Sequence, residues 1–285
     1  RSTLSSSSAA SDVYKRQSSA CSPLIKMNDI SAIYQGKLST LEEIRVSPLS
    51  RAYTFSDSIY EVVPYFKGKA LCFREHFDRM RNSAHLMELK VDFEIVSSDL
   101  DLLSETLAKK DGYIYYQITR GIDPIRSHLY QDDLELERFG YALPSNFSSS
   151  PIGAMLSNDD RWGKCNIKST SLLGNVLAMN KAKSLGCNEV VMHRKGFMTE
   201  AGASNVFYFN EKGQVRTSAL SENILPGITR SILIDALQDT PYKVKEGSCP
   251  IKDFNDSPCI WLTSSTKGLL PLTHLIDTDL SLIHI

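Results

Sequence analysis

No Cys-x-x-Cys pair occurs in this 285-residue sequence, whose six cysteines stand scattered at positions 21, 72, 165, 187, 249 and 259. The usual spacing of a structural metal site is therefore missing, and a chain this long needs no disulfide staples, so reduced thiols in a cytoplasmic setting are expected. Charge of one sign is missing too. Lys plus Arg number 32 against 33 Asp plus Glu, and no basic patch stands out to suit nucleic acid or an anionic membrane. Long apolar runs are absent: Ile232-Leu233-Ile234 and Cys259 to Leu262 fall far short of the roughly 20 residues that span a bilayer. There is no internal repeat. Small molecules and other proteins are the partners left.

What is present is ordinary globular chain, 42% hydrophobic, enough for two modest domains. Residues 1–26 read differently, Ser-rich and nearly free of acids, and are expected to be a non-native or disordered leader. Ala9 to Gln17 and Leu280 to Ile285 resemble translated adapter sequence, so Met27 is taken as the native start and 280–285 as a non-native tail. Were the leader native, it would suit an organellar transit peptide. From Met27 the pattern predicts strands over Ala32 to Tyr34 and Ser58 to Phe66. A helix is expected over Arg74 to Leu89, where Phe73, Phe77, Met80, Ala84 and Met87 recur at helical spacing. A second helix is expected over Asp99 to Lys109 and a strand over Tyr113 to Gly121, completing an N-terminal α+β domain, 27–143. A Pro/Ser-rich stretch between about Arg138 and Asp160 predicts a loop, with the domain connection at 144–152. The second domain, 153–279, alternates: a helix ended by Gly186, strands at Glu189 to His193 and Asn205 to Phe209, and a helix from Ile228 to Leu237.

Three features in that second half suit an anionic ligand. Leu225-Pro226-Gly227-Ile228-Thr229-Arg230 runs a glycine turn into an amphipathic helix, whose free N–H groups and dipole attract anions. Leu262 to Gly268 is a hydroxyl-dense turn after a buried strand. Lys168 stands between a strand-like approach and a helix starting near Ser171, with Glu200 in a loop of small residues, Glu200 to Ser204. Each has a plain structural counterpart: a helix start, a polar turn, a solvated lysine. Cys165, close to Lys168, has no basic partner in the sequence and reads as a packing residue.

The motifs resemble those of class IV (fold type IV) enzymes that use pyridoxal 5'-phosphate (PLP). Asn166 to Ala178 is similar to the family's lysine segment, Thr199 to Phe207 to its T-E-x-x-x-S-N-x-F motif, and Ile224 to Arg230 to its I-L-x-G-[IV]-T-R motif. They occur in the family's order, and the likeness spans about Met27 to Asp277. It implies a small α+β domain followed by a larger, barrel-like α/β domain. It also implies that Lys168 holds PLP as a Schiff base and shuttles the α-proton, and that Glu200 holds the pyridine nitrogen. Ile228 and Thr229, with Gly227, Ser264 and Ser265, would hold the phosphate, and Leu225 would pack on the ring. Glu75-His76-Phe77-Asp78-Arg79 matches an E-H-x-x-R motif, which makes Arg79 a charged phosphate partner. Arg51 aligns with a further arginine near the cofactor.

Gln117-Ile118-Thr119-Arg120-Gly121, followed by Arg126-Ser127-His128, resembles the pattern of the D-amino acid aminotransferases. There Arg126 and His128, with Tyr60, would capture the substrate carboxylate. The resemblance thus implies transamination between a D-amino acid such as D-alanine and a 2-oxo acid such as 2-oxoglutarate. It further implies a homodimer in which the Arg-x-His loop crosses from the partner. L-specific branched-chain aminotransferases, aminodeoxychorismate lyases and inactive PLP-binding paralogues share the lysine and glutamate motifs and stay open as alternatives. Three departures stand out. The family's F-G-D-G is Phe55-Ser56-Asp57-Ser58 here, the turn between Gly121 and Arg126 is one residue longer, and the family's C-terminal helix is not evident.

Overall fold

A computed structural model describes residues 26–277 and 282–284. The expected leader falls outside them except for Lys26, and of the expected tail only Leu282–His284 is described. Two sheets organise the chain. The first has six strands in the order β2-β1-β6-β5-β3-β4: β1 Ser31–Tyr34, β2 Lys37–Thr40, β3 Ser58–Phe66, β4 Lys69–Ala70, β5 Gly112–Thr119 and β6 Glu137–Pro144. Every pairing in it is antiparallel. Alternation along β5 divides its residues between two faces. Ile114, Tyr116 and Ile118 are buried beneath helices α2 (Phe73–Leu86) and α3 (Phe93–Thr106), joining Ile59, Val63, Met80, Leu100 and Leu103 in one core. The opposite face carries Tyr113, Tyr115 and Gln117, half-buried. A short helix, α1 (Arg51–Phe55), precedes β3.

The second sheet has nine strands: β7 Ile152–Asn158, β8 Glu189–Arg194, β9 Phe197–Ala201, β10 Asn205–Phe209, β11 Val215–Ser218, β12 Lys245–Gly247, β13 Ile260–Ser264, β14 Gly268–Asp277 and β15 Leu282–His284. Its order is β12-β11-β10-β13-β14-β7-β8-β9, with β15 on β14, and it curves into a half-barrel. Parallel strands β7 and β8 are joined across helix α4 (Leu173–Ser184), while α5 (Ile228–Leu237) separates β11 from β12. The mixed α/β architecture with a barrel-like second sheet agrees with the sequence expectation.

Three local expectations need correction. The loop placed between Arg138 and Asp160 is irregular only over 145–151 and 159–160, because β6 and β7 occupy the rest. In β6 the buried residues include the small Gly140 and Ala142 while Phe139, Tyr141 and Leu143 are only half-buried, so no apolar-in, polar-out alternation marks the strand. The helix expected from Asp99 starts six residues earlier, where the Asp92 carboxylate accepts from the amides of Glu94 at 3.0 Å and Ile95 at 3.5 Å. The expected apolar stripe of α2 does face the first core, with Met80 and Ala84 buried and Phe73, Phe77 and Met87 partly buried against it, and His76, Arg79 and Ser83 are buried on the same helix. Glu200 lies on strand β9 and not in a loop. Gly186, at φ 79°, does end α4 as expected.

Candidate active site

The loop from β7 to α4 leaves the carboxyl end of a parallel strand, where open α/β sheets present their ligand sites. It does not stay with its own sheet. Its main chain crosses to the first sheet and docks on β3: the Tyr60 amide donates to the Lys168 carbonyl at 2.9 Å, and the Thr170 amide to the Ser58 carbonyl at 3.0 Å. The Lys168 amide donates to Ser83 Oγ of α2 at 3.2 Å. Lys168 Nζ then stands 4.2 Å from the centre of the Tyr60 ring, at the junction of both sheets.

A cleft of about 490 Å³ opens there. It is lined by ten of the residues singled out from the sequence: Tyr60, Arg79, Lys168, Glu200, Leu225, Gly227, Ile228, Thr229, Ser264 and Ser265. Such a volume suits a small ligand or cofactor. Arg126 and His128 are not brought to it. They are exposed on the loop after Gly121, both beside Phe55, with the Arg126 guanidinium 4.8 Å from that ring and the His128 ring 5.3 Å from it. Arg51 is not in the cleft either. Buried beneath that loop, it pairs with Asp57 at 2.9 Å and donates to the carbonyl of Ser127, between Arg126 and His128, at 2.8 Å. Its guanidinium holds the loop in shape.

One end of the cleft is anionic. Glu200 receives Arg161 Nη1 on Oε1 at 2.6 Å, and on Oε2 the Leu225 amide at 3.0 Å and Asn205 Nδ2 at 3.2 Å. Arg161 is itself fixed by Asp159, with Nε to Oδ1 and Nη2 to Oδ2 both at 2.9 Å. Burial nonetheless lifts the Glu200 carboxyl to about 7, with Arg161 and the Leu225 amide pulling the other way. A cationic N–H donor arriving at this end would complete what the single guanidinium leaves unfinished.

The other end is built for an anion. α5 begins at Gly227 without any side-chain cap, leaving its first amides free. Arg79 faces the same corner, with its Nε and Nη2 on the two oxygens of Glu61 at 2.7 and 2.8 Å and its Nη1 on the Pro226 carbonyl at 3.1 Å. Three of its five N–H groups are used, so two remain. The hydroxyl of Thr263 is buried with no partner among the described residues, and it too lines the cleft. Between these ends lies an amine, Lys168. A cationic ring nitrogen, an aldehyde carbon and a phosphate match that order of acceptor, amine and donors, so the residues fit PLP.

Several participants escaped the sequence reading. Asp159 falls at the end of the stretch expected to be a loop, Arg161 lies just beyond it with no task expected of it, and Asn205 lies within the Thr199 to Phe207 motif without an expected role. Glu61 had a signal: a carboxylate inside the apolar run Ile59 to Val63 demands a buried partner. Burial alone would raise its carboxyl, but Arg79 and His76, the latter at 2.8 Å, outweigh this and hold it at about 2. Cys165 lines the cleft with its thiol pushed up by burial, which leaves it protonated and inert.

A mixed α/β fold with a lysine and a phosphate-ready helix start at the sheet junction defines a class of cofactor-dependent enzymes, and comparison with known proteins narrows it. The family model for amino-transferase class IV matches residues 58–275. The D-alanine aminotransferase of Listeria monocytogenes serotype 1/2a (strain 10403S) is 35% identical over 244 residues, covering 82% of this chain and 83% of that protein. That of Listeria innocua serovar 6a is 34% identical over 254 residues, covering 86% and 88%. Among solved structures, the branched-chain amino acid aminotransferase of Escherichia coli superposes with a TM-score of 0.79 at 18% identity, over 89% of this chain and 88% of that one. The chain belongs to the class IV aminotransferases. It is an aminotransferase, and PLP is its cofactor.

Proposed function

We propose that this enzyme moves the amino group of a D-amino acid, with D-alanine as the type donor, to a 2-oxo acid such as 2-oxoglutarate. The observation that carries the reading is the position of Lys168 Nζ, 4.2 Å from the Tyr60 ring, between the Glu200 end and the open start of α5. The names of the Listeria relatives and the Arg126-Ser127-His128 motif support the D-specific form. PLP, when bound, supplies an electron sink for the pair released as the substrate's α C–H bond breaks. Lys168 Nζ takes that proton and returns it on the other side of the exchange. Glu200, its carboxylate held in place by Arg161 and Asn205, would accept from the ring nitrogen, and Leu225 would pack against the ring.

Arg79, the Ile228 and Thr229 amides, and the hydroxyls of Thr229, Ser264 and Ser265 would hold the phosphate, with Gly227 keeping that corner open. Tyr60 takes part in binding the substrate carboxylate. Arg126 and His128 complete that site from a second copy of the chain, so a homodimer is part of the reading: both are exposed outside their own cleft on a loop that Arg51 keeps fixed. The same reading divides the chain into domains at 27–143 and 153–279, linked by 144–152.

The test is the visible spectrum of the PLP-loaded protein mixed with D-alanine or L-alanine. Bleaching by D-alanine alone is expected, and Lys168→Ala should abolish it while the protein stays folded. Bleaching by L-amino acids only would replace the D-specific reading with a branched-chain one. An active Lys168→Ala protein would remove the role of Lys168.

A further inference from the structure

The turn before β3 is the place where this chain departs from its family, with Ser58 standing where the motif has glycine. Ser58 is completely buried, yet its hydroxyl is not idle. Tyr115 Oη donates to Gln117 Oε1 at 2.7 Å, and Gln117 Nε2 donates to Ser58 Oγ at 3.1 Å. Ser58 Oγ lies 2.6 Å from Thr170 Oγ1, and Thr170 Oγ1 reaches the Ser56 carbonyl at 3.1 Å. A carbonyl only accepts, so the Thr170 proton is committed to Ser56. Ser58 must then donate to Thr170 and accept from Gln117, and the direction of every link follows. Glycine at position 58 would leave this chain of hydrogen bonds without its middle member.

Thr170 is two residues from Lys168. The clamp therefore acts on a segment whose main chain is also tied at the Lys168 carbonyl by the Tyr60 amide and at the Lys168 amide by Ser83 Oγ. The far end of the chain returns to the same lysine. Tyr115, which starts it, stacks on Tyr60 with ring centres 5.5 Å apart, and Tyr60 lies beneath Lys168 Nζ. Backbone and amine are thus held by one connected set of side chains. Ser56 fits the same scheme: it sits in the left-handed region at φ 53°, which turns its carbonyl to accept from both Thr170 and, at 3.4 Å, Ser171 Oγ.

The geometry points to Ser58 as a positioning residue for Lys168, its hydroxyl fixing Thr170 so that only the lysine side chain moves during turnover. This rests on the role proposed for Lys168. An amine that must both hold the cofactor and carry a proton gains from a fixed main chain, because the reacting atoms then search fewer arrangements.

Ser58→Ala and Thr170→Val each delete one hydroxyl with little change of volume, while Thr170→Ser keeps it. In the PLP-loaded enzyme the two deletions are expected to lower kcat about tenfold, as small displacements of reacting groups do, with KM little changed. Thr170→Ser should stay near wild type. The double variant Ser58→Ala/Thr170→Val should be no worse than either single change, since both break one link. In the PLP-free protein, hydrogen exchange of the amides of 166–171 should quicken in the deletions and not in Thr170→Ser. Unchanged kcat and exchange in Ser58→Ala, or additive losses in the double variant, would overturn the clamp. So would a fall in kcat that merely tracks lost thermal stability across all three single variants. Borohydride reduction of the loaded wild type followed by peptide mapping separates the two levels. Cofactor fixed on another lysine sinks the role of Lys168 and the clamp with it, whereas cofactor on Lys168 with unaffected variants sinks the clamp alone.

Discussion

Glu61 shows how a single buried charge ties the first sheet to the site. Its carboxylate is fully buried on β3 and meets the two donors that α2 turns inward, Arg79 and His76. Glu61→Gln would leave the Arg79 guanidinium buried without its counter-charge, a change that costs about 3–5 kcal/mol when one partner of a buried pair is lost. Thermal or urea denaturation checks this, and an unchanged midpoint would refute it. The sign with pH follows from the lowered pKa, about 2 against an ordinary 4.5. Glu61 stabilises the fold above about pH 4.5, and that contribution drains away as pH falls toward 2. Glu61→Gln should therefore flatten the acid limb of the stability profile compared with wild type. At this scale the sequence was uneven. Lys168 and Glu200 stand out through their motifs and both line the cleft, whereas Arg161 and Asn205 do not stand out, because their contacts depend on distant segments that only the folded chain brings together.

Elements carry information that single residues do not. The start of α5 was read correctly from Pro226-Gly227 followed by an amphipathic run, since a glycine turn and a helical period are both local signals. Strands β6 and β7 were missed because Pro144 and the serines between them have loop-forming character while the strands' pairing partners lie far away in sequence. Gly227 is legible as a turn glycine at the helix start, but the physical reason for glycine there is not. Its φ of −70° is open to any residue, so conformational freedom is not the reason. A Cβ there would run into Asn205 Oδ1, and Asn205 is the side chain that joins Glu200 to the Leu225 carbonyl. Gly227→Ala should displace Asn205 and disturb both ends of the cleft together. Overpacking of this kind costs about 1–3 kcal/mol, on the order of a ten- to hundredfold weaker PLP dissociation constant. Fluorescence titration of the PLP-free protein measures it; wild-type affinity in Gly227→Ala would mean that the corner relaxes freely.

At the scale of the whole molecule, Arg126 and His128 stand apart from the cleft they are proposed to serve. Arg51 buries its guanidinium under their loop, so the loop is not free to swing into its own site without breaking the bonds from Arg51 to the Ser127 carbonyl and to Asp123. A second copy supplies the simpler route, and it makes a sharp demand on mixtures. Lys168→Ala lacks the amine but keeps a good loop, and Arg126→Ala has the reverse defect. Mixed in equal amounts and allowed to exchange subunits, half the dimers become hybrids, and in each hybrid one of the two clefts combines an intact Lys168 with an intact Arg126. About a quarter of wild-type D-alanine turnover should return from two preparations that are separately dead or nearly so. If Arg126 instead served the cleft of its own chain, no hybrid would contain an intact site. The mixture would then show only the residual rate of Arg126→Ala.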